Sequence, residues 1–505
     1  MATIGFHRLT TRLWPPPLRS PLSRLHCACS FSFSEEASSV SAKEAASSSS
    51  PSFFPKRGQQ LELVCETLAF KGIGVCKVLE TGFVVMCNGA LPGERFIGRV
   101  SRKKGNYAEV KKVQTVSPHW DIVDAPCEYA EICGGCKTQN LLYDAQVRAK
   151  EQQVHELMIH VGRFPIRVPE FANVVKPIVP CDIQFHYRNK HSSSLLMPVL
   201  CQCLMEFSFG TKKWLPRALF HEEDNCNGNG YALGLHAPGF FDKVLHIEKC
   251  LLQSEAANKV LATIQESWRD PLLGLTPYDV HTHKGFLKHL MIRLGRDVKT
   301  GLPELMVNFV TSSYNPDLLR PLIQKLTTIP EMAEVLYKLI EECAGLRGDG
   351  SENVLDLFCG TGTIGLTLAK KVKHVYGYEV VAQAVADARQ NAKINNICNA
   401  AFIQGDLNKI NDNFGKDFPS PDIIILDPNR PGLHMKLIKF LLWIRAARII
   451  YVSCNPATCA RDIDYLCHGM VEHGIKGCYQ LKSLQPVDMF PHTPHIECVC
   501  LLELR

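Results

Sequence analysis

The sequence predicts an α/β protein: a doubly wound C-terminal domain, preceded by a small β-barrel and a mixed α+β segment. Three observations carry that prediction. From about Gly345 onward, apolar strand, glycine turn and amphipathic helix alternate. Between Lys56 and Trp120, short apolar runs are broken by glycines and by a Pro92-Gly93 turn, the pattern of a small barrel. The chain has 505 residues, 46% of them hydrophobic, enough to bury several cores; at about 150 residues per domain, roughly three are expected. The expected division is a leader and linker over 1–50, a barrel over 55–120, a central domain over 121–340 and the doubly wound domain over 341–505.

The first 34 residues hold Arg8, Arg12, Arg19 and Arg24, many Ser, Thr and Pro, and no acidic residue. That is the composition of an organellar transit peptide, and a merely unstructured tail leaves the missing acids unexplained. The Ala after Met1 and the Ser/Pro richness favour a chloroplast over a mitochondrion. Residues 1–50 carry five Lys/Arg and three Asp/Glu, so without them the net charge falls from +6 to +4. Nucleic-acid contacts must then come from local patches. No stretch approaches the roughly 20 apolar residues of a membrane span, so no membrane partner is expected. Twenty-two cysteines without a secretory signal point to thiols or metal ligands rather than disulfides.

Barrel strands are expected at 61–64, 82–86, 95–100 and 108–113. Between Arg95 and Lys112 lie seven basic residues and one acidic one, with Tyr107 among them. One edge could therefore track a phosphate backbone and stack a base, although a solvated charged face has the same composition. A helix is expected at 143–161. In the doubly wound domain the expected strands are 354–357, 374–378, 401–404, 423–426, 448–452 and 498–502.

Val354-Leu-Asp-Leu-Phe-Cys-Gly-Thr-Gly-Thr-Ile-Gly365 is a buried strand running through a glycine turn into a helix, where backbone can approach a ligand closely. A dinucleotide enzyme begins similarly, so the glycines alone decide little. Glu379 ends the next strand, 23 residues after Asp356, where a carboxylate can accept from both ribose hydroxyls. Asp406 follows the third strand in Gln404-Gly-Asp, placed for an adenine amino group. With these features the segment resembles the Rossmann-like S-adenosylmethionine methyltransferases.

Tyr451-Val-Ser-Cys454-Asn-Pro places Cys454 just past the carboxyl end of a strand, beside the ligand edge of such a sheet. For most of the cysteines, Cys459 included, burial in the core is the better reading. Asp427-Pro-Asn-Arg430-Pro-Gly432 follows the fourth strand, and Pro491-His-Thr-Pro-His-Ile-Glu497 precedes the last. In this order, over 350–505, these segments resemble the RNA 5-methyluridine methyltransferase family. The resemblance implies Cys454 as nucleophile, Glu497 as base, and Phe358, Gly360, Thr363, Glu379, Asp406 and Asp427 lining the S-adenosylmethionine and uracil pocket. RNA 5-methylcytosine enzymes carry Pro-Cys where this chain has Asp427-Pro428, which favours uridine.

Cys127-x5-Cys133-Gly-Gly-Cys136 brings three thiols into one tight loop, a set that suits an iron–sulfur cluster or zinc. Family members with this spacing hold one 4Fe-4S cluster and take a fourth cysteine after a Leu-Gly-Leu strand; here that is Leu233-Gly-Leu235 and then Cys250. Residues 56–118 resemble a TRAM domain, an RNA-binding barrel of the OB-like type. Barrel and cysteine loop together resemble the branch acting on large-subunit rRNA, with tRNA as the second choice; the enzyme is expected to be a monomer.

The chain departs from the family twice. Tyr187-Arg-Asn-Lys190 is separated from Met205-Glu-Phe-Ser-Phe209 by residues 191–204, and the family's Phe-Gln-x-Asn segment before the methyltransferase domain is missing between Lys325 and Tyr337. These departures keep open a catalytically impaired form acting as an RNA-binding protein, and the cysteine loop leaves open an iron–sulfur redox protein.

Overall fold

The structure is a computed structural model. It describes residues 54–505 apart from 70–71, 106, 131, 167, 169–170, 172, 188–204, 215–230, 238–239, 268–272, 297–302, 314, 327–343, 411–413, 415–418 and 471–473. The transit-peptide reading of 1–50 and both departures from the family pattern fall outside the described residues.

The chain is α/β, as its patterning predicts. Five strands, β1 (Gln60–Ala69), β2 (Ile73–Val78), β3 (Val84–Asn88), β4 (Arg95–Lys103) and β5 (Ala108–Ser117), close a barrel in the order β1-β2-β3-β5-β4. Alternate residues point inward, so Leu63, Cys65, Cys76, Val85, Cys87 and Phe96 are buried together. The strand β2 was not anticipated, because Gly72 and Gly74 interrupt its apolar run. Gly74 is required there: a β-carbon would stand 2.9 Å from the Ala90 side chain.

Helix α1 (Tyr143–His160) leads into a five-stranded antiparallel sheet of order β10-β9-β6-β7-β8, built from β6 (Met205–Gly210), β7 (Ala232–His236), β8 (Val244–His246), β9 (Leu287–Arg296) and β10 (Pro303–Thr311). Helix α2 (Glu255–Ser267) lays Val260, Leu261 and Ile264 on Phe207, Leu233 and Leu290 of the sheet, and α3 (Pro316–Leu326) adds Leu319 and Leu322.

The C-terminal region alternates β11 (Asn353–Leu357), α4 (Thr363–Ala369), β12 (His374–Glu379), α5 (Ala382–Ile394), β13 (Ala400–Gln404), β14 (Ile423–Leu426), α6 (Met435–Ile444), β15 (Arg448–Ser453) and α7 (Pro456–His468). A short β16 (Gly469–Met470) and β17 (Ile475–Lys476) pair, followed by β18 (Tyr479–Val487) and β19 (Glu497–Leu504). The sheet order is β13-β12-β11-β14-β15-β19-β18; β11 to β15 are parallel, and β19 runs antiparallel between β15 and β18. Period-two alternation gives each strand two apolar faces. Leu355, Ile424, Ile449 and Tyr451 meet α1, α6 and α7 on one side, and Val354, Ile423, Ile450 and Val452 meet α4 on the other. Chain order reverses between β11 and β14, and the crevice beyond their carboxyl ends is where such sheets take a ligand.

Among the described residues no helix is long and apolar enough to cross a membrane.

Candidate active site

The turn after β11 is shaped by its backbone. Phe358, Gly360 and Gly362 all have positive φ, 66°, 54° and 81°. At Gly362 a β-carbon would meet the Phe402 ring at 2.7 Å, so glycine is needed for both conformation and space. Asp356, fully buried at the end of β11, accepts from the Gly365 N–H at 2.9 Å and ties the first turn of α4 to the strand. Glu379 at the end of β12 accepts from the Gly360 N–H at 3.1 Å with one oxygen and from Val381 N–H at 2.9 Å with the other. Asp406 is tied to its own loop by Asn408 N–H at 3.0 Å, and that bond holds its carboxyl below the usual range.

These residues surround a cavity of about 350 Å³ at the strand switch point. Phe358, Gly360, Thr363, Glu379, Asp406 and Asp427 all line it, together with Asn408, Asn429 and Val452. Asp356 carries no role in the sequence pattern beyond its spacing from Glu379. Burial pushes its carboxyl up to about 7, and Asp427 and Glu379 push in the same direction. Glu379, Asp406 and Asp427 bring three carboxyl groups to the cavity wall, an environment complementary to a ligand with a cationic centre.

Cys454 follows β15 and precedes α7, half-buried at the rim of the same crevice. Asn455 caps the helix through Ala457 N–H at 3.2 Å, with Pro456 in the first turn, so the thiol stands at a helix N-terminus that favours a thiolate. Burial nevertheless raises the Cys454 thiol, as do Glu497 and Asp427, while Arg430, hydrogen-bonded to it, lowers it. Arg430 is therefore the charge that opposes two carboxyl groups at the sulfur. Its motif was visible in the sequence, but no role had been attached to it.

The Arg430 loop is held by the residues that follow Cys454. Asn455 Nδ2 and Thr458 Oγ1 donate to the Arg430 carbonyl at 2.9 and 3.1 Å. Asp462, fully buried, accepts from Leu433 N–H at 2.7 Å and from the Tyr451 hydroxyl at 2.7 Å. Gly432 has φ 77° and leaves no room for a β-carbon against that carboxylate.

Glu497 reaches Cys454 across the sheet. β15 and β19 run antiparallel with Ser453 opposite Cys498, which brings Glu497 to the position beside Cys454. Glu497 is 8% exposed. Burial first, then Asp427, pushes its carboxyl up to about 8, against the opposing pull of Arg430. Burial alone pushes Asp427 up to about 6.

A second cluster lies in the loop before α1. Cys127, Cys133 and Cys136 are half-buried, as is Cys250. They fall within electrostatic reach of one another: Cys133, Cys250 and Cys127 all add to the burial that raises Cys136. Gln139 bridges the loop, accepting from Cys127 N–H at 3.2 Å and donating to Cys136 Sγ at 3.1 Å. Among the described residues no three His, Cys, Asp or Glu side chains gather closely enough to hold a metal ion.

Fold and site define a class: a doubly wound α/β enzyme with a carboxyl-lined ligand cavity at the switch point and a cysteine, a carboxyl and a guanidinium beside it. Residues 323–505 match the tRNA (uracil-5-)-methyltransferase family model. An RNA methyltransferase of Halalkalibacterium halodurans is 31% identical, covering 88% of this chain and 97% of its own. One from Chlorobaculum tepidum is 32% identical, over 89% and 97%. The chain belongs to the RNA (uracil-5-)-methyltransferase family. The tRNA (uracil-54, C5)-methyltransferase of Pyrococcus abyssi, solved with S-adenosyl-L-homocysteine, shares the fold at a TM-score of 0.58, with 22% identity, over 88% of this chain and all of that one.

Proposed function

We propose that the enzyme methylates carbon 5 of a uridine in structured RNA, drawing the methyl group from S-adenosylmethionine and working through a transient bond between Cys454 and carbon 6. The observation that carries this reading is the convergence of Cys454, Glu497 and Arg430 at the edge of the carboxyl-lined cavity. The cavity fits the cofactor: Glu379 and Asp406 offer acceptors to hydroxyl and amino groups, and its carboxyl-lined wall would offset the positive charge of a sulfonium ligand. When bound there, S-adenosylmethionine supplies an electrophilic methyl group.

Carbon 5 of uracil is too weak a nucleophile to take that methyl group unaided. Cys454 Sγ adds to carbon 6, and the electron pair of the carbon 5–carbon 6 bond moves onto the ring as an enolate. Arg430 favours the thiolate that must attack. Carbon 5 then bonds to the methyl carbon as that carbon's bond to the sulfonium sulfur breaks; Glu497 takes the proton from carbon 5, its electron pair re-forms the carbon 5–carbon 6 double bond, and the carbon 6–sulfur bond breaks to restore the thiolate. The target base must leave its stack to reach the crevice, at a cost of a few kcal/mol.

The four cysteines, 127, 133, 136 and 250, would hold one 4Fe-4S cluster. A soft all-thiol donor set suits it, and thiolates around a polynuclear cluster stand farther apart than the ligands of one ion. Its role would be structural, since methyl transfer moves no electron pair to or from a redox centre. Iron and sulfide analysis of anaerobically purified protein tests this; zinc in their place would overturn it.

A cleft of about 650 Å³ on the barrel, lined by Arg57, Arg102, Lys103 and Lys111 with Glu109, supports an RNA backbone track. Barrel and cysteine loop favour large-subunit rRNA as the target, and the composition of residues 1–50 favours a chloroplast as its compartment. The names of the family model and of the Pyrococcus enzyme point instead to tRNA, which is the second reading. Transfer of label from S-adenosylmethionine to organellar rRNA and tRNA pools, with nucleoside analysis, separates them. Label in 5-methyluridine from rRNA is expected; label only from tRNA moves the substrate, and none in either favours an impaired RNA-binding form.

A further inference from the structure

The loop that delivers Glu497 is held by a side chain that plays no part in the chemistry above. His492 lies five residues before Glu497 and has φ 65°. A side chain rarely adopts this left-handed conformation, which persists only where the surroundings over-determine it. Here they do. The His492 main-chain N–H donates to Gln146 Oε1 at 2.9 Å, and its carbonyl accepts from Lys137 N–H at 2.8 Å and Thr138 N–H at 3.3 Å. Its ring stacks on Phe185 with centroids 4.4 Å apart.

Gln146 has no freedom of its own. It is 1% exposed. Its Oε1 also accepts from Thr138 Oγ1 at 3.0 Å, and its Nε2 donates to the Leu141 carbonyl at 2.8 Å and lies 3.1 Å from His492 Nδ1. That last contact makes Nδ1 an acceptor and the imidazole neutral, in keeping with burial lowering His492 to about 4. The flanking residues are tied to the same frame: Tyr187 Oη donates to the Pro491 carbonyl at 2.9 Å and Lys150 Nζ to the Phe490 carbonyl at 3.1 Å.

We propose that Gln146 is a positioning residue for the base: by fixing His492 in its left-handed conformation it sets how the chain enters β19, and so where the Glu497 carboxylate stands. This rests on the reading of Cys454 as nucleophile and Glu497 as base. The cysteine loop ends in the same clamp, because Lys137 and Thr138, which hold the His492 carbonyl, directly follow Cys136.

Displacing the base without touching the nucleophile has a distinct signature. Addition at carbon 6 and methylation precede removal of the carbon 5 proton, so the covalent protein–RNA adduct should accumulate. In Gln146→Ala, kcat is expected to fall roughly 10- to 100-fold, with KM for S-adenosylmethionine unchanged and a slow-migrating adduct on a denaturing gel. Gln146→Glu, which keeps the acceptor oxygen, should recover part of the rate. Glu497→Gln is the reference, and it should trap the same adduct. If it traps none, the assignment of the base fails whatever Gln146 does. If Glu497→Gln traps adduct while Gln146→Ala turns over normally, or loses activity with a lowered melting temperature and no adduct, the clamp proposal is overturned. Should Gln146→Ala not fold, Thr138→Val removes the hydroxyl bond to Gln146 at constant shape. Adduct with a smaller loss of kcat is expected there, and unchanged kcat without adduct would reject the proposal.

Discussion

Cys454, Glu497 and Asp427 are all raised above their ordinary values, and burial is the leading cause in each. In the ligand-free site Cys454 and Glu497 are therefore largely protonated at neutral pH, whereas Asp427, raised only to about 6, is largely ionised, and kcat should rise with pH through about 8, where Glu497 ionises. A flat profile from about pH 6 to 9 would exclude Glu497 as the base. Stability should move the other way. A carboxyl raised from 4.5 to about 8 on folding holds its proton more tightly in the folded chain, so stability falls as pH rises across that window. Glu497→Gln should therefore melt above the wild type at about pH 8.5, the gap closing towards about pH 5. Gly362→Ala, with positive φ and the Phe402 ring in the way, should cost about 1–3 kcal/mol and weaken cofactor binding, measurable by denaturation and titration. Glu379 and Asp406 were legible from strand spacing alone, and Cys454 from its place after a strand. Glu497 was singled out only through resemblance, because a carboxylate at a strand start is ordinarily exposed; the structure places it buried beside Cys454. Gln146 was not legible at all: it acts on a residue 346 positions away.

The strands and helices of the doubly wound domain were legible because each strand, turn and helix is written locally in consecutive residues. Three strands were not: β16 and β17 are two residues each, too short to show a period. β18 carries a bulge between Leu481 and Ser483 that breaks the two-residue alternation, and it contains Pro486, which argues against a strand in sequence. The central sheet resisted reading for another reason: β6 pairs with β9, so its order depends on contacts far apart in the chain. Helix α1 is the element that joins this region to the active-site sheet. Its Lys150, 5% exposed, pairs with fully buried Asp488 at 2.7 Å, and Tyr143 Oη reaches the same carboxylate at 3.1 Å. Lys150→Met would leave a buried carboxylate without its cation, and a loss of about 3–5 kcal/mol is expected in chemical denaturation. A loss below about 1 kcal/mol would mean that Asp488 is solvated in solution.

At the scale of the molecule, a mildly basic chain concentrates cations on one face of the barrel. Replacing Arg102, Lys103 and Lys111 with glutamine should weaken RNA binding similarly across sequences and reduce the salt slope by about 2–3. A change of target preference with an unaltered slope would assign that cleft to base reading instead. In the proposed mechanism, barrel, cysteine loop, clamp and sheet all serve one chemical event at Cys454. RNA carrying 5-fluorouridine tests that event most directly, because fluorine at carbon 5 leaves no proton for Glu497 to remove. After incubation with S-adenosylmethionine, peptide mass spectrometry should find the methylated nucleotide attached to Cys454, and nothing attached in Cys454→Ala. Turnover of natural RNA with no adduct from the fluorinated RNA, or an adduct on another cysteine, would contradict the covalent mechanism assigned to this site.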